Sequence, residues 1–231
     1  MNIINKNRLP LKYLKDICEM KSKTWDFGSN QSLFNYWLSI ISDTTNRIDR
    51  KHNSVYLAIN DNGKCIAYLT AYVHGKPIQL HPFLFIVHAI SNFLLFLSKR
   101  GRATLAYRKM YDYHLNTTVK LGKQALLGED YKNVSEGLCV VVHPEYRKLG
   151  IYQEMTRQLM QEIEGYFIFH TSTECVYQAH EAMGFKKIFE VPYFYPEDHT
   201  TFIMYGDKTI NYTSEYNYVN DENEKLPEEK D

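Results

Sequence analysis

Apolar residues follow helical spacing at the start of this chain and strand spacing through its middle, and the order of those patterns predicts a layered fold. From Leu9 to Met20 the residues Leu11, Leu14, Ile17 and Cys18 recur at helical spacing, with Pro10 suited to a first turn. After Ser32, Leu33, Phe34, Trp37, Leu38 and Ile41 form a second, wider stripe that fades near Asp43. Two β-rich runs follow, Val55 to Ile59 and Lys64 to Val73, joined by Asn60-Asp-Asn-Gly63, the composition of a hairpin turn. Glu136 to Val142 is apolar on both faces after its first residue, which predicts a covered central strand ended by Pro144.

Downstream, the pattern predicts a helix from Ile151 to Glu164 closed by Gly165, a short strand from Tyr166 to Phe169, and a helix from Thr173 to Met183 closed by Gly184. Strands near Lys186 to Val191 and Thr201 to Tyr205 complete the series. The expectation is an α/β (α+β) class fold over residues 1–206, a single domain with a mixed central β-sheet flanked by helices. Residues 75–133 are too long for a plain loop and are expected to be a helical insertion. Residues 207–231, acidic and poor in apolar side chains at their end, are expected to be a disordered tail.

Within the insertion, 12 of the 15 residues from Phe83 to Leu97 are apolar, and the exceptions His88, Ser91 and Asn92 share one narrow stripe. The run is shorter than the ~20 residues a membrane span needs. Seven Lys/Arg against one Asp follow between Lys99 and Lys123. An apolar helix beside a basic cluster fits a membrane-surface element over residues 83–109 or a lid over a hydrophobic acceptor; it also fits a helix packed on the sheet or on a second copy in a homodimer.

Composition narrows the partners. The 231 residues carry 27 basic and 27 acidic side chains, so no global charge draws the chain to nucleic acid, and none is expected as a partner. Cys18, Cys65, Cys139 and Cys175 form no C-x-x-C pair, which argues against a zinc ribbon or a disulfide framework and for a reducing, cytoplasmic setting. No metal is expected. Residues 1–8 lack the apolar core of a secretory signal.

The chemistry concentrates in Val142-His-Pro-Glu-Tyr-Arg-Lys-Leu-Gly-Ile-Tyr152, where a buried strand ends and a helix begins near Gly150. The first-turn N–H groups of such a helix can hold a pyrophosphate, Gly150 lets it approach the backbone, and Arg147 adds a cation. With its V-x-P-x-x-R lead-in, this run resembles the acetyl-CoA motif [QR]-x-x-G-x-[GA] of the GNAT superfamily of N-acetyltransferases. Thr173-Glu-Cys-Val-Tyr-Gln-Ala-His-Glu-Ala-Met-Gly-Phe185 is similar to that family's N-x-x-A-x-x-x-Y-x-x-x-G-F segment.

The resemblance implies transfer of an acetyl group from acetyl-CoA, as co-substrate, directly to the amine of a small molecule. It implies that Arg147, Lys148, Leu149, Gly150, Ile151 and Tyr152 wrap the diphosphate. Val140 and Val142 would pair with pantetheine, and the N–H of Val140 would meet the oxyanion. The face of the later helix that carries Thr173, Tyr177 and His180 would look toward the sulfur, making His180 or Tyr177 the general acid. Glu136, which strand alternation places with Leu138, Val140 and Val142 at the edge of an apolar face, is the candidate base. Tyr152 stands where the family has Gly or Ala, and His180 where it has Tyr. These departures leave open a non-catalytic acyl-CoA-binding or membrane-peripheral module.

Overall fold

The hairpin forms as the sequence predicts. Asn60 Oδ1 accepts from the backbone N–H groups of Asn62 (3.1 Å) and Lys64 (2.9 Å), and β2 (Ser54–Ile59) pairs antiparallel with β3 (Cys65–Tyr72). The structure, a computed structural model, describes residues 1–24, 32–50, 52–79, 82–128, 134–171, 173–193 and 199–207. Of the tail expected at residues 207–231, all but Asp207 lies outside these residues. Upstream, β1 (Asn2–Lys6) adds antiparallel to β2. The sequence pattern did not announce this strand, because only Ile3 and Ile4 are partly covered and the rest of it faces water.

The remaining strands are β4 (Ser135–Val142), β5 (Phe167–Thr171), β6 (Lys186–Tyr193) and β7 (His199–Gly206). They form one seven-stranded sheet in the order β1-β2-β3-β4-β5-β7-β6, with β4 and β5 parallel and the other neighbours antiparallel. Helices cover both faces. On one face, α5 (Ile151–Glu162) packs on β2, β3 and β4, while α6 (Glu174–Ala182) packs on β5. Ile151, Met155, Leu159 and Met160 of α5 are buried there, each contributing about 1.5–3 kcal/mol.

The other face carries α1 (Leu14–Thr24) over β3 and β4, and α4 (Lys99–Leu127) over β5, β6 and β7. The first helical pattern thus begins later than expected. Leu11–Tyr13 form a single 3₁₀ turn, and Leu9 is already fully buried. The second stripe becomes α2 (Leu33–Arg50), which packs against α1 and against α3 (Pro82–Phe96); Leu33 and Phe34 at its start are exposed. Helices α3 and α4 occupy the insertion between β3 and β4.

An irregularity in β4 sets which face its residues occupy. Thr70 faces Cys139 and Ala71 faces Gly137, so Leu138 is an extra residue in β4, a β-bulge that reverses alternation along the strand.

Candidate active site

Strand β4 meets β5 only at its beginning, through Ser135 opposite Phe167 and Glu136 opposite Ile168. Gly137 permits this approach, since a Cβ there would stand 2.8 Å from Phe167 Cζ and 3.1 Å from Phe169 Cβ. Beyond that point the strands part. Among the described residues, no strand pairs with β4 on the β5 side from Gly137 to Val142. His143 N–H donates to the Ile66 carbonyl on the β3 side (2.8 Å), so alternation turns the backbone groups of Val140 and Val142 into the fork. An extended ligand lying there would find a ready strand edge.

The open arm of the fork runs into the turn that the motif marks. Pro144–Tyr146 make one 3₁₀ turn, and the chain then reaches Lys148 (φ 63°) and Gly150 (φ 70°), both left-handed. Gly150 caps α5 with no side-chain hydrogen bond, and the first helical bond is Glu154 N–H to the Gly150 carbonyl (3.0 Å). The N–H groups of Ile151, Tyr152 and Gln153 therefore point out of the helix with its partial positive charge. Arg147 lies across the end of β4, its Nε 3.4 Å from the Val142 carbonyl and its Nη2 3.4 Å from Thr24 Oγ1. Lys148 and Leu149 are exposed beside it. The one acid of the first turn, Glu154, is held by Arg157 at 2.6 and 2.8 Å, which keeps its carboxyl below the usual carboxylate range. These features suit a diphosphate.

Tyr152 does not crowd that turn. Its side chain runs into the core, where its hydroxyl donates to His180 Nε2, while His180 Nδ1–H donates to the Val176 carbonyl (2.8 Å). The imidazole stacks on Phe169, with ring centroids 3.4 Å apart, and meets Phe185 edge-on at 5.1 Å. Only 2% of His180 is exposed, and burial pushes its pKa down to about 3; burial pushes the Tyr152 phenol up. His180 is thus a neutral core imidazole with both nitrogens engaged.

The expected common face of Thr173, Tyr177 and His180 divides. Tyr177 turns outward, stacking on Phe202 of β7 (4.3 Å) and donating to Glu181 Oε1 (2.9 Å), a bond that raises its pKa. Thr173 sits exposed at the start of α6, its N–H donating to Thr171 Oγ1 (3.1 Å). These side chains converge on no single point.

Glu136 requires a correction of a different kind. Alternation placed it with Val140 and Val142, but the bulge puts it on the opposite face. Glu136 pairs with Tyr72, Cys139 with Thr70 and Val141 with Tyr68, whereas Val140 and Val142 pair with Leu69 and Ala67. Its Oε2 accepts from Lys123 Nζ of α4 at 2.8 Å, the two side chains being 14% and 16% exposed. Glu136 therefore stands where β4 and β5 diverge, reached from the α1 and α4 face. On this face Cys139 Sγ lies 3.1 Å from the Tyr68 hydroxyl, and Lys21 Nζ is buried 2.7 Å from Asp43 Oδ2. Among the described residues, no three His, Cys, Asp or Glu side chains gather as a metal site needs.

No protein-family model matches the sequence, and no curated protein matches it. Solved structures do match in fold. The chain is similar to arylalkylamine N-acetyltransferase 2 from Aedes aegypti (14% identity, 90% of this chain and 99% of that one, TM-score 0.50). It is also similar to the aminoglycoside 6′-N-acetyltransferase from Enterococcus faecium (11% identity, 89% of this chain and 96% of that one, TM-score 0.51). An agmatine N-acetyltransferase aligns at 8% identity over 89% of this chain and 99% of that one, with a TM-score of 0.50. The chain has the GNAT fold.

Within this GNAT fold, the residues singled out from the sequence other than Glu136 fall into three places. Val140, Val142, Arg147, Lys148, Leu149, Gly150 and Ile151 line the fork or its turn. Tyr152 and His180 lie beneath it, and Tyr177 and Thr173 lie to one side. Sequence reasoning missed Lys123, the partner of Glu136, and Phe169, the floor under His180. The basic cluster after Lys99 contained Lys123, but nothing in the spacing singled it out.

Proposed function

We propose that this chain is an acyl-CoA-dependent N-acyltransferase that moves the acetyl group of acetyl-CoA to the amine of a small molecule. The observation that carries the reading is the β4–β5 fork opening onto an uncapped, left-handed turn with cations beside it. A diphosphate on the N–H groups of residues 150–153 directs pantetheine along Val140 and Val142, and the thioester reaches the point of divergence near Glu136.

The reaction there has three requirements. The amine must lose a proton to attack the thioester carbonyl, and we assign its receipt, directly or through water, to Glu136 at the divergence point. The N–H of Val140 is the donor for the tetrahedral oxyanion. When the C–S bond breaks, the thiolate takes up a proton; an alkyl thiol has a pKa near ~8.5, so water at the fork meets this need at neutral pH. We assign His180 to positioning, because a neutral, enclosed imidazole supports Tyr152 and α5 and its one N–H is committed to the Val176 carbonyl. Tyr177, committed to Glu181, stays outside this sequence of steps.

The same enclosure of His180 favours a second reading, a non-catalytic acyl-CoA-binding module. Thiol release from acetyl-CoA across a panel of arylalkylamines, polyamines and amino sugars separates the two. Catalysis requires amine-dependent turnover that Glu136→Gln lowers about 10²-fold or more while acetyl-CoA binding persists. Binding without turnover on any amine selects the module.

A further inference from the structure

Helix α3 is built inside out. Its buried positions are Leu84, His88, Ser91 and Leu95, whereas Phe83, Phe85, Ile86, Ile90, Phe93 and Phe96 are each more than half exposed. A surface helix ordinarily does the reverse, turning its polar stripe to water.

The orientation is fixed by hydrogen bonds rather than by default packing. His88 Nδ1 lies 3.1 Å from the Ser42 carbonyl and 3.2 Å from Thr45 Oγ1 of α2, and its Nε2 lies 2.8 Å from Asn92 Nδ2. Ser42 Oγ also bonds Asn92 Oδ1, and Arg108 of α4 reaches Ser42 Oγ (2.5 Å) and the Ser39 carbonyl (2.9 Å). Rolling α3 to hide its phenylalanines would break this seam and strand buried polar groups, at about 1–3 kcal/mol each. The apolar face is therefore held outward.

Charge identifies what meets it. Between Pro82 and Tyr111 the chain has Lys99, Arg100, Arg102, Arg108 and Lys109 and no acidic residue. Lys99, Arg100, Arg102 and Lys109 are exposed. Arg102 sits at the rim of the apolar face, its guanidinium 6.0 Å from the Phe96 ring centre and its Nη1 donating to the Phe96 carbonyl (3.1 Å). Ser98 caps α4 by accepting from Gly101 N–H (2.9 Å), which fixes the basic end of α4 directly after the apolar helix. A second copy would bring the same cations to the contact, whereas an anionic lipid surface offers acyl chains for the phenylalanines and phosphates for the arginines. No helix among the described residues is long and apolar enough to cross a membrane.

We propose that α3 and the start of α4 form a docking surface for an anionic lipid bilayer, with α3 lying in the headgroup plane. The test is sedimentation of the full chain with vesicles of phosphatidylcholine alone and of phosphatidylcholine with phosphatidylserine, at low and high salt. Binding to the anionic vesicles, weakened by salt, is expected. Each of Arg100→Glu and Arg102→Glu is expected to lower partitioning at least about fivefold. Ile90→Ser/Phe93→Ser, which alters only exposed positions, is expected to abolish binding while circular dichroism and Tm stay as in the wild type. Absence of binding by the folded wild type overturns the proposal. So does sedimentation as a dimer that Ile90→Ser/Phe93→Ser dissociates and vesicles do not compete away.

Discussion

Tyr152 and His180, 28 residues apart in sequence, meet hydroxyl to imidazole beneath the turn between β4 and α5. The contact makes two departures from the family motif into one adaptation. A large side chain at 152 is accommodated because the residue at 180 is an imidazole that accepts its hydroxyl and stacks on Phe169. The backbone above is thereby left clear for a ligand. Removing either partner strands a buried polar group, so Tyr152→Phe and His180→Phe are each expected to cost about 1–3 kcal/mol in urea unfolding. The double variant is expected to cost less than their sum by about 0.5 kcal/mol or more. Additive losses would show that the two side chains do not act as a pair.

Acid stability follows from the same enclosure. Burial lowers the pKa of His180 to about 3 and that of His52 to about 4, against an unfolded value near ~6.5. The unfolded chain then binds more protons than the folded one across that window. Stability from these groups is full above ~6.5 and is lost as pH falls from there toward 3. A thermal series is expected to show Tm falling below ~6.5, with a shallower fall in His180→Phe once its lower starting Tm is subtracted. An unchanged slope in that variant would remove His180 from the acid response.

Much of the fold was legible because it rests on local chemistry. Asn60 and Gly63 specify a turn by themselves, and Pro144 and Gly150 end a strand and begin a helix where the sequence says so. What the sequence hid were relationships between distant segments. Nothing between Glu136 and Val142 reveals that Leu138 is an extra residue, since the bulge is set by pairing with Thr70 and Ala71; strict alternation therefore put Glu136 on the wrong face. The polar stripe of α3 was visible as His88, Ser91 and Asn92, but that it faces inward depends on Ser42 and Thr45 of another helix. His180 reads from the sequence as a candidate acid on the face of α6 that looks toward the sulfur; its enclosure is hidden because Phe169 and Tyr152 are not its sequence neighbours.

Gly137 sets the geometry of the fork. A valine there would drive its side chain into Phe167 and Phe169, where even a Cβ stands 2.8 Å from the nearest atom. Gly137→Val is expected to destabilise the chain by about 1–3 kcal/mol. It is also expected to weaken acetyl-CoA binding as the start of β5 is displaced. Chemical denaturation and ligand titration of the same preparation measure both effects, and wild-type stability would contradict the close approach.

Lys148 separates backbone from charge. Its left-handed φ of 63° costs a side-chain-bearing residue about 1–2 kcal/mol that glycine avoids. Lys148→Gly is therefore expected to raise Tm while weakening acetyl-CoA binding through loss of a cation beside the diphosphate. A lower Tm would mean that the lysine side chain stabilises the turn more than the strain destabilises it.

We propose that the turn from Arg147 to Tyr152 holds the diphosphate of an acyl-CoA at the mouth of the β4–β5 fork. Calorimetric titration with acetyl-CoA and with CoA, on the wild type and on Gly150→Val, addresses it most directly. The expected result is one-to-one binding of both ligands in the micromolar range by the wild type, lost in Gly150→Val while that variant remains folded by circular dichroism. Folded wild-type protein that binds neither ligand would contradict the account.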